Sequence, residues 1–270
     1  MFINHRVFNM QASLYSGTGN LLWVVEVSPQ TDVRSDSKWV NLSVQLCSDQ
    51  GDGLMLVTDS APYQAYFFNP DGSDGIFCGN GVRCVAYHLV QKYDLAQPFS
   101  IFIAGQEIRC HVTHDQVEIY LPKTGVKNLG LETVQVFPGT KFSGFRMDMP
   151  NPHLVIFAEI SRDELLLVGP RIGEHYQDLY GGINVEFVFK NTEDQWQALV
   201  YERGAGITEA CGSGAMAVLC VLQDQGLIAH GAPLDLKMSG GMLRLQDLGG
   251  HLSLRGQVQL QKVVQDAFRS

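Results

Sequence analysis

Charged residues are scarce in this sequence, and basic ones are scarcer than acidic ones. Only 17% of the 270 residues are charged, and 28 acidic side chains outnumber 19 basic ones, which leaves a formal net charge of −9. The lysines and arginines stand singly along the chain and form no cluster. Because a nucleic-acid-binding surface is expected to carry a basic stripe, the composition argues against nucleic acid as a partner.

Long apolar runs are missing as well. The longest candidates, at 21–25 and 218–222, fall far short of the ~20 residues that cross a bilayer. The first six residues also lack the basic-then-apolar order of a secretory signal. We therefore expect a cytoplasmic protein with no membrane partner. In that reducing compartment the six cysteines are expected to be free, as packing residues, metal ligands or nucleophiles rather than disulfides.

Recognisable metal and nucleotide motifs are also lacking. Cys110, His111 and His114 carry zinc-ligand side chains, but they lie in a strand-like stretch where alternate residues face opposite sides, and no second cluster has finger spacing. The glycine-rich segments 17–19 and 79–81 have neither a Walker Lys-Ser/Thr pair nor a clear βαβ setting. We expect no metal and no cofactor.

What the sequence does contain is apolar and glycine-rich, with 45% hydrophobic residues and 28 glycines. The hydrophobic residues are enough for a sizeable core, and the glycines indicate many turns or backbone-lined sites. Apolar positions at i, i+3, i+4 and i+7 predict helices at about 78–90 and 211–223. Runs of β-branched and aromatic residues predict strands at 22–27, 53–58, 65–69, 100–104, 117–121, 154–158, 185–190 and 198–202.

The two predicted helices begin with the same motif. Cys78-Gly-Asn-Gly81 matches Cys211-Gly-Ser-Gly214, 133 residues further on, and a strand and a turn-rich loop precede each. This order predicts an α+β fold of two pseudosymmetric domains, each a mostly antiparallel curved sheet wrapped around a central helix. The first domain is expected to cover 1–122 plus a returning strand at 257–270, and the second 123–256. An active site is expected in the cleft between them.

A cysteine at the start of a helix can be chemically reactive. The unpaired N–H groups and the helix dipole favour an anion there, and they are expected to lower the pKa of a thiol. A single such cysteine is more often a packing residue, but two related copies favour chemistry. Two cysteines flanking one bound carboxylate suit inversion at its Cα, with one thiolate removing the proton and one thiol returning another. Four other cysteines have no partner motif and are expected to pack in the core: Cys47, Cys84, Cys110 and Cys220.

Five segments of the sequence resemble the diaminopimelate epimerases, a family of cofactor-independent, two-cysteine amino-acid epimerases. They are 68–84 (FNPDGSDGIFCGNGVRC), 201–215 (YERGAGITEACGSGA), Asn151-Pro-His153, Ile183-Asn-Val185 and Asp52-Gly-Leu54. The resemblance keeps the family's order from about 17 to 215, and the long motifs around both cysteines make it specific.

The resemblance implies roles for matching positions. Cys78 and Cys211 would be the acid/base pair, and His153 would support a thiol or make a structural hydrogen bond. Substrate would be bound by Asn20, Asn69, Gly79, Asn80, Asn151, Asn184, Glu202, Arg203, Gly212 and Ser213. It implies conversion of LL- to meso-diaminopimelate in lysine and peptidoglycan-precursor synthesis, a small amino-acid substrate as the partner, no cofactor, and compatibility with a homodimer.

The sequence departs from the family pattern near one end of the expected site. Leu21 replaces an acidic residue, Pro150 replaces a glycine, and the stretch 10–16 differs from the family's lead. These departures bear on the identity of the substrate and not on the epimerase chemistry, because both cysteines and the main polar residues are present. Two alternatives therefore stay open: a racemase or epimerase of the same fold acting on a different amino acid, and a catalytically silent amino-acid-binding protein.

Overall fold

The computed structural model describes residues 10–267 as strands β1–β17 and helices α1–α5. The helices are α1 (Lys38–Cys47), α2 (Gly79–Tyr93), α3 (Arg162–His175), α4 (Gln177–Tyr180) and α5 (Gly212–Asp224). The strands before α2 are β1 (Ala12–Gly17), β2 (Asn20–Val27), β3 (Leu54–Thr58), β4 (Tyr63–Phe68) and β5 (Asp74–Gly75). Those up to α3 are β6 (Phe99–Ile103), β7 (Gln106–Thr113), β8 (Gln116–Pro122), β9 (Lys127–Phe137), β10 (Thr140–Asp148) and β11 (Pro152–Phe157). The rest are β12 (Asn184–Lys190), β13 (Trp196–Glu202), β14 (Gly206–Thr208), β15 (Leu234–Met238), β16 (Gly241–Asp247) and β17 (His251–Val264).

The predicted elements are all present. The eight predicted strands coincide with β2, β3, β4, β6, β8, β11, β12 and β13, and the two predicted helices with α2 and α5. The elements that were not predicted have weaker patterns. Most of β9 is exposed, so it shows no apolar run, and α3 carries Pro170 in its interior.

The order of strand pairing repeats along the chain. In the first half β2 pairs parallel with β3, and the strands β3, β4 and β5 then pair antiparallel in that order. After α2, strand β6 pairs parallel with β4, and β7 and β8 continue the sheet with antiparallel pairings. The second half repeats these steps with β11 to β17 around α5. Two copies of one arrangement therefore make up the chain, as the repeated motif predicts.

Each copy surrounds one helix. Helix α2 packs against β1, β2, β3, β4, β7, β8 and β17, while α5 packs against β11, β12, β16 and β17. Every residue of α5 from Gly212 to Gln223 is buried, because apolar strands enclose the helix. The predicted α+β fold with a curved, mostly antiparallel sheet around each central helix is confirmed.

Strand β17 connects the two copies. Its first half pairs with both β16 and β8, and its second half pairs with β1. Both copies are therefore parts of one continuous hydrogen-bonded sheet. The proposed domain boundaries at 122 and 257 stay a prediction, and the predicted end segments 1–9 and 268–270 lie outside the described residues.

Two other expectations from the sequence bear on the surface. Within residues 10–267, no helix has the length and apolarity needed to span a membrane; the cytoplasmic location stays a prediction. Cys110 is fully buried on strand β7, whereas the neighbouring His111 and also His114 are exposed. The alternation along β7 therefore separates these side chains, as expected.

Substitution of Leu254 tests how much the packing of β17 against both helices contributes to stability. Its side chain is fully buried against the first residues of α2 and α5. We expect Leu254→Ala to lower the free energy of unfolding by about 2–5 kcal/mol, because it leaves a cavity that rigid backbone cannot fill. Urea denaturation measures this. Leu260→Ala on the same strand, where the side chain is 51% exposed, is the control; equal losses for both variants would contradict the assignment.

Candidate active site

Both repeated cysteines cap a helix. Cys78 precedes α2 in an extended conformation, and its Sγ accepts a hydrogen bond from the Gly81 N–H at 3.2 Å. Cys211 precedes α5 in the same way, and its Sγ accepts from the Gly214 N–H at 3.4 Å. Each sulfur therefore occupies the place of a side-chain oxygen in an ordinary N-cap.

The two helix starts meet at their first residues. A Cβ added to Gly212 would lie 3.5 Å from the Gly79 Cα and 2.9 Å from the Leu254 Cδ2. Glycine at both positions lets the backbones approach this closely. The free N–H groups of two helices are consequently brought to one place, where a Cβ on either glycine would crowd the Leu254 side chain.

A cavity of about 360 Å³ opens at this meeting point. Twelve of the thirteen predicted site residues line it: Asn20, Asn69, Cys78, Gly79, Asn80, Asn151, Asn184, Glu202, Arg203, Cys211, Gly212 and Ser213. The thirteenth, His153, is fully buried behind Ser213, and its Nε2 lies 3.0 Å from the Ser213 Oγ. The structure brings the predicted residues together, while their roles toward a substrate stay predictions.

Neighbouring groups fix the polar side chains of the cavity. Asn20 donates from Nδ2 to the Asp52 carboxylate at 2.8 Å, and the Leu21 N–H donates to the same oxygen at 2.7 Å. The Arg203 N–H donates to the Asn184 Oδ1 at 2.8 Å. These contacts orient the amide groups before any ligand binds, which lowers the entropic cost of binding.

The two thiols differ from the sequence-based expectation in their acidity. Loss of hydration raises the pKa of the Cys78 thiol to about 12, although the Gly81 N–H opposes this. Burial also raises the pKa of Cys211 well above its usual range, and the Glu202 and Glu186 carboxylates add to the increase. The expected lowering of the thiol pKa is therefore wrong here, because desolvation outweighs one N-cap hydrogen bond and the helix dipole.

Glu202 lies beside Cys211 and is itself perturbed. Burial raises the pKa of its carboxyl group, while hydrogen bonds from Thr208 and Cys211 oppose the increase. A carboxyl group with a raised pKa can exchange a proton with a neighbouring thiol near neutral pH. The role of Glu202 as a substrate-binding residue stays a prediction, and its contact with Cys211 adds proton transfer to what its position allows.

The third residue of each cysteine motif is anchored from behind. Asn80 donates from Nδ2 to the Ala210 carbonyl of the other copy at 2.9 Å, and accepts from the buried Arg83 guanidinium at 2.8 Å. Its counterpart Ser213 contacts His153, whose Nδ1 lies 2.7 Å from the Glu186 Oε1. The two helix starts are therefore held by different chemistry.

One group of described residues has metal-ligand character. The ligand atoms of His153, Glu186 and Cys211 lie within 4.8 Å of one another. The two nitrogens of His153, however, already face Glu186 and Ser213 at hydrogen-bond distance. These residues form a hydrogen-bonded chain in which the Glu186 Oε2 is buried without a partner among the described residues, and the expectation of no metal stays a prediction.

Three residues of the site were not predicted as such. Asp52 belongs to a quoted motif but was given no role, although it lines the cavity and holds Asn20. Glu186 follows the Ile-Asn-Val motif directly, and Arg83 stands within the first cysteine motif. For Glu186 and Arg83 a charged residue inside an otherwise apolar strand or helix was the available signal, because a buried charge needs a partner; Asp52 lies in the loop before β3 and gave no such signal.

Relatives of known name match most of the chain. A diaminopimelate epimerase from Bacteroides thetaiotaomicron is 32% identical over 249 residues, covering 89% of this chain and 91% of the relative. One from Bacillus velezensis is 32% identical over 228 residues, covering 76% and 79% respectively. Residues 145–260 also match the family profile described as "Diaminopimelate epimerase".

Solved structures share the fold at low sequence identity. A hydroxyproline epimerase from Agrobacterium vitis superposes with a TM-score of 0.72 at 11% identity, covering 95% of this chain and 92% of that one. A probable proline racemase from Agrobacterium radiobacter superposes with a TM-score of 0.73 at 12% identity, with the same coverage. Likeness to these structures shows the fold alone, whereas the sequence relatives place the chain among the amino-acid epimerases, a class of isomerases. Within that class, the chain belongs to the diaminopimelate epimerase family.

The acidity of Cys78 can be measured directly. Only the thiolate is alkylated, and with a pKa of about 12 its fraction at neutral pH is small. We expect the alkylation rate of Cys78 by iodoacetamide to rise about tenfold per pH unit between pH 7 and 9, since the thiolate fraction does so well below the pKa. Peptide mass spectrometry separates the six cysteines. A rate that levels off near pH 7 would show a lowered pKa instead.

Proposed function

We propose that this protein converts LL-2,6-diaminopimelate to meso-diaminopimelate by a two-base mechanism that uses Cys78 and Cys211 and no pyridoxal cofactor. The observation that carries the proposal is the pair of cysteine-capped helix starts that open onto one cavity, one from each copy of the repeat. Inversion needs a proton acceptor on one face of the reacting carbon and a proton donor on the other, and two related thiols supply both.

The chemical step balances between the two sulfurs. One cysteine, as the thiolate, takes the proton from Cα and becomes a thiol, while the electron pair of the C–H bond moves toward the carboxylate. The other cysteine donates its proton to the opposite face of the carbon and becomes the thiolate. The product is the inverted centre, and the two cysteines have exchanged protonation states.

The helix starts stabilise the charge that develops in this step. As the proton leaves, negative charge builds up on the substrate carboxylate. The backbone N–H groups of Gly79 and Asn80 from one helix, and of Gly212 and Ser213 from the other, are the proposed donors to it, since these four residues line the cavity. Fixed N–H groups and two helix N-termini that converge on one cavity need no reorganisation during the reaction, which is the main source of such stabilisation.

Other polar side chains that line the cavity suit a second amino-acid group. Arg203 provides a planar fork for a carboxylate, and amides such as Asn69 can both donate and accept, while Glu202, beside Cys211, can accept from an ammonium group. Diaminopimelate carries one amino-acid group at each end, so one end can bind at the cysteines while the other binds at Arg203 and Asn69. Family membership at 32% identity supports the same substrate.

Single substitutions test the roles of the two thiols. We expect Cys78→Ala and Cys211→Ala each to lower kcat at least about 100-fold, because each removes one of the two acid/base groups. Turnover is followed by solvent deuterium incorporation at Cα and by separation of the stereoisomers. Cys220→Ala on helix α5 is the control, since this thiol is buried away from the cavity, and it should affect stability alone. Near-normal inversion by either active-site variant would rule out the two-base mechanism.

A deuterium-exchange screen separates the three candidate functions. Exchange at Cα of LL- and meso-diaminopimelate would support the proposal. Exchange of another common amino acid, with none for diaminopimelate, would identify a racemase or epimerase of different specificity. Binding without exchange of any amino acid would identify a silent binding protein. The last two outcomes contradict the proposal.

Arg203 provides a test of recognition at the far end. We expect Arg203→Lys to raise KM for diaminopimelate about 10-fold or more, with a smaller change in kcat, because lysine replaces a bidentate fork with a point charge. Steady-state kinetics on both isomers measures the split. Lys190→Arg on β12, an exposed side chain paired with Asp194, is the matched control. An unchanged KM in the Arg203 variant would remove this residue from the carboxylate site.

A further inference from the structure

The two copies of the repeat differ behind their cysteines. Strand pairing sets Met55 beside Val24 in the first copy and Glu186 beside Val155 in the second, so Met55 and Glu186 hold equivalent positions. A Cβ on Gly81 would collide with the Met55 side chain, and one on Gly214 would collide with the Glu186 carboxylate. By the same register Leu22 corresponds to His153. An apolar pair in one copy is thus an ionisable pair in the other.

The ionisable pair extends to the sulfur through Ser213. From Glu186 Oε1 to His153 Nδ1 the distance is 2.7 Å, from His153 Nε2 to Ser213 Oγ it is 3.0 Å, and from Ser213 Oγ to Cys211 Sγ it is 3.5 Å. Glu186 and His153 are both fully buried. Such groups are costly in a core, and hydrophobic residues fill the corresponding space around α2.

We propose that Glu186 is a positioning residue that holds His153 as the proton acceptor for Cys211, acting through the Ser213 hydroxyl. The proposal rests on the proposed two-thiol function, and it adds a residue to which the sequence-based analysis gave no role. It makes the two cysteines unequal: Cys211 has an internal acceptor for its proton, whereas leucine and methionine stand at the equivalent positions near Cys78.

The proton transfer balances along the chain. The Cys211 thiol proton moves to the Ser213 oxygen while the Ser213 hydroxyl proton moves to Nε2 of His153. The products are a thiolate and an imidazolium whose Nδ1–H donates to the Glu186 carboxylate. No proton enters from solvent, so the fraction of thiolate formed in this way does not depend on pH around neutrality.

The other ionisable neighbour of Cys211 is Glu202 on β13, which hydrogen-bonds to the thiol from the cavity side. It can accept the same proton directly. The chain through Ser213 leads from the cavity lining into the core, because Ser213 lines the cavity while His153 and Glu186 are fully buried and do not. The two routes are therefore separable by substitution.

The test compares the alkylation of Cys211 and Cys78 by iodoacetamide between pH 6.5 and 8.5, residue by residue, without substrate. In the unchanged protein we expect a nearly flat rate for Cys211 and a steep rate for Cys78. Glu186→Gln keeps the shape and the hydrogen-bonding capacity but removes the charge that supports an imidazolium. We expect it to make the Cys211 profile as steep as that of Cys78 and to lower kcat about 10–100-fold, with little change in KM.

Three further variants make the comparison complete. Glu186→Met introduces the residue that stands at the equivalent position of the first copy, Met55, so this variant should fold. Ser213→Ala removes the hydroxyl that links His153 to Cys211. Both variants should show the same steep Cys211 profile and lowered kcat as Glu186→Gln. The control is Glu26→Gln, because Glu26 forms a pair with His88 of the same 2.7 Å length outside the cavity. That variant should keep the wild-type profiles of both cysteines. Thermal melting confirms folding in each case.

The outcomes are distinct from those for the proposed function. A steep Cys211 profile in the unchanged protein, or a flat profile and wild-type kcat that persist in Glu186→Gln and Glu186→Met, would overturn the inference. Loss of the flat profile in Glu202→Gln alone would assign the acceptor role to Glu202 and also overturn it. Failure to turn over diaminopimelate would contradict the proposed substrate, while the alkylation profiles would still test the proton chain.

Discussion

The close approach of two helix N-termini is the constraint on which the rest of this structure depends. Like ends of two dipoles meet where Gly79 and Gly212 lie so close that a Cβ on Gly212 would be 3.5 Å from the Gly79 Cα, an unfavourable arrangement unless an anion lies between them. Each helix is surrounded by its own sheet, and β17 belongs to both copies, so the helices cannot separate freely. The fold thereby keeps two helix N-termini at one cavity, a setting that favours a bound anion.

Much of this arrangement could be predicted from the sequence because it is repeated there. A motif that recurs after 133 residues, in the same strand–loop–helix order, specifies two related halves, and the cysteines identify the ends of the helices that meet. Twelve predicted residues line one cavity because they lie at or beside the ends of strands and the starts of helices, which the topology gathers at one place. Local pattern and overall fold agree at these positions.

The rest depends on distances between strands that no local pattern contains. Glu186 stands in an apolar strand, and only the register of β11 with β12 brings it to His153. Asp52 contacts Asn20 across 32 residues of sequence. The acidity of the thiols was predicted in the wrong direction for a related reason: a helix start is visible in a sequence, whereas the depth at which a sulfur is desolvated is a property of the assembled core.

Desolvation of the thiols also affects their strength as bases. A thiolate with a high pKa is a stronger base toward a carbon acid than an exposed one, and by Brønsted behaviour proton transfer to it is more favourable. The same burial makes that thiolate scarce at neutral pH, so its formation needs a nearby acceptor that shares its low-dielectric surroundings. Glu202 and the chain of Ser213, His153 and Glu186 are the groups beside Cys211 that could meet this need. In the proposed mechanism two symmetry-related sulfurs flank one carboxylate, and the asymmetry of the residues behind them would give Cys211 an internal proton acceptor that Cys78 does not have.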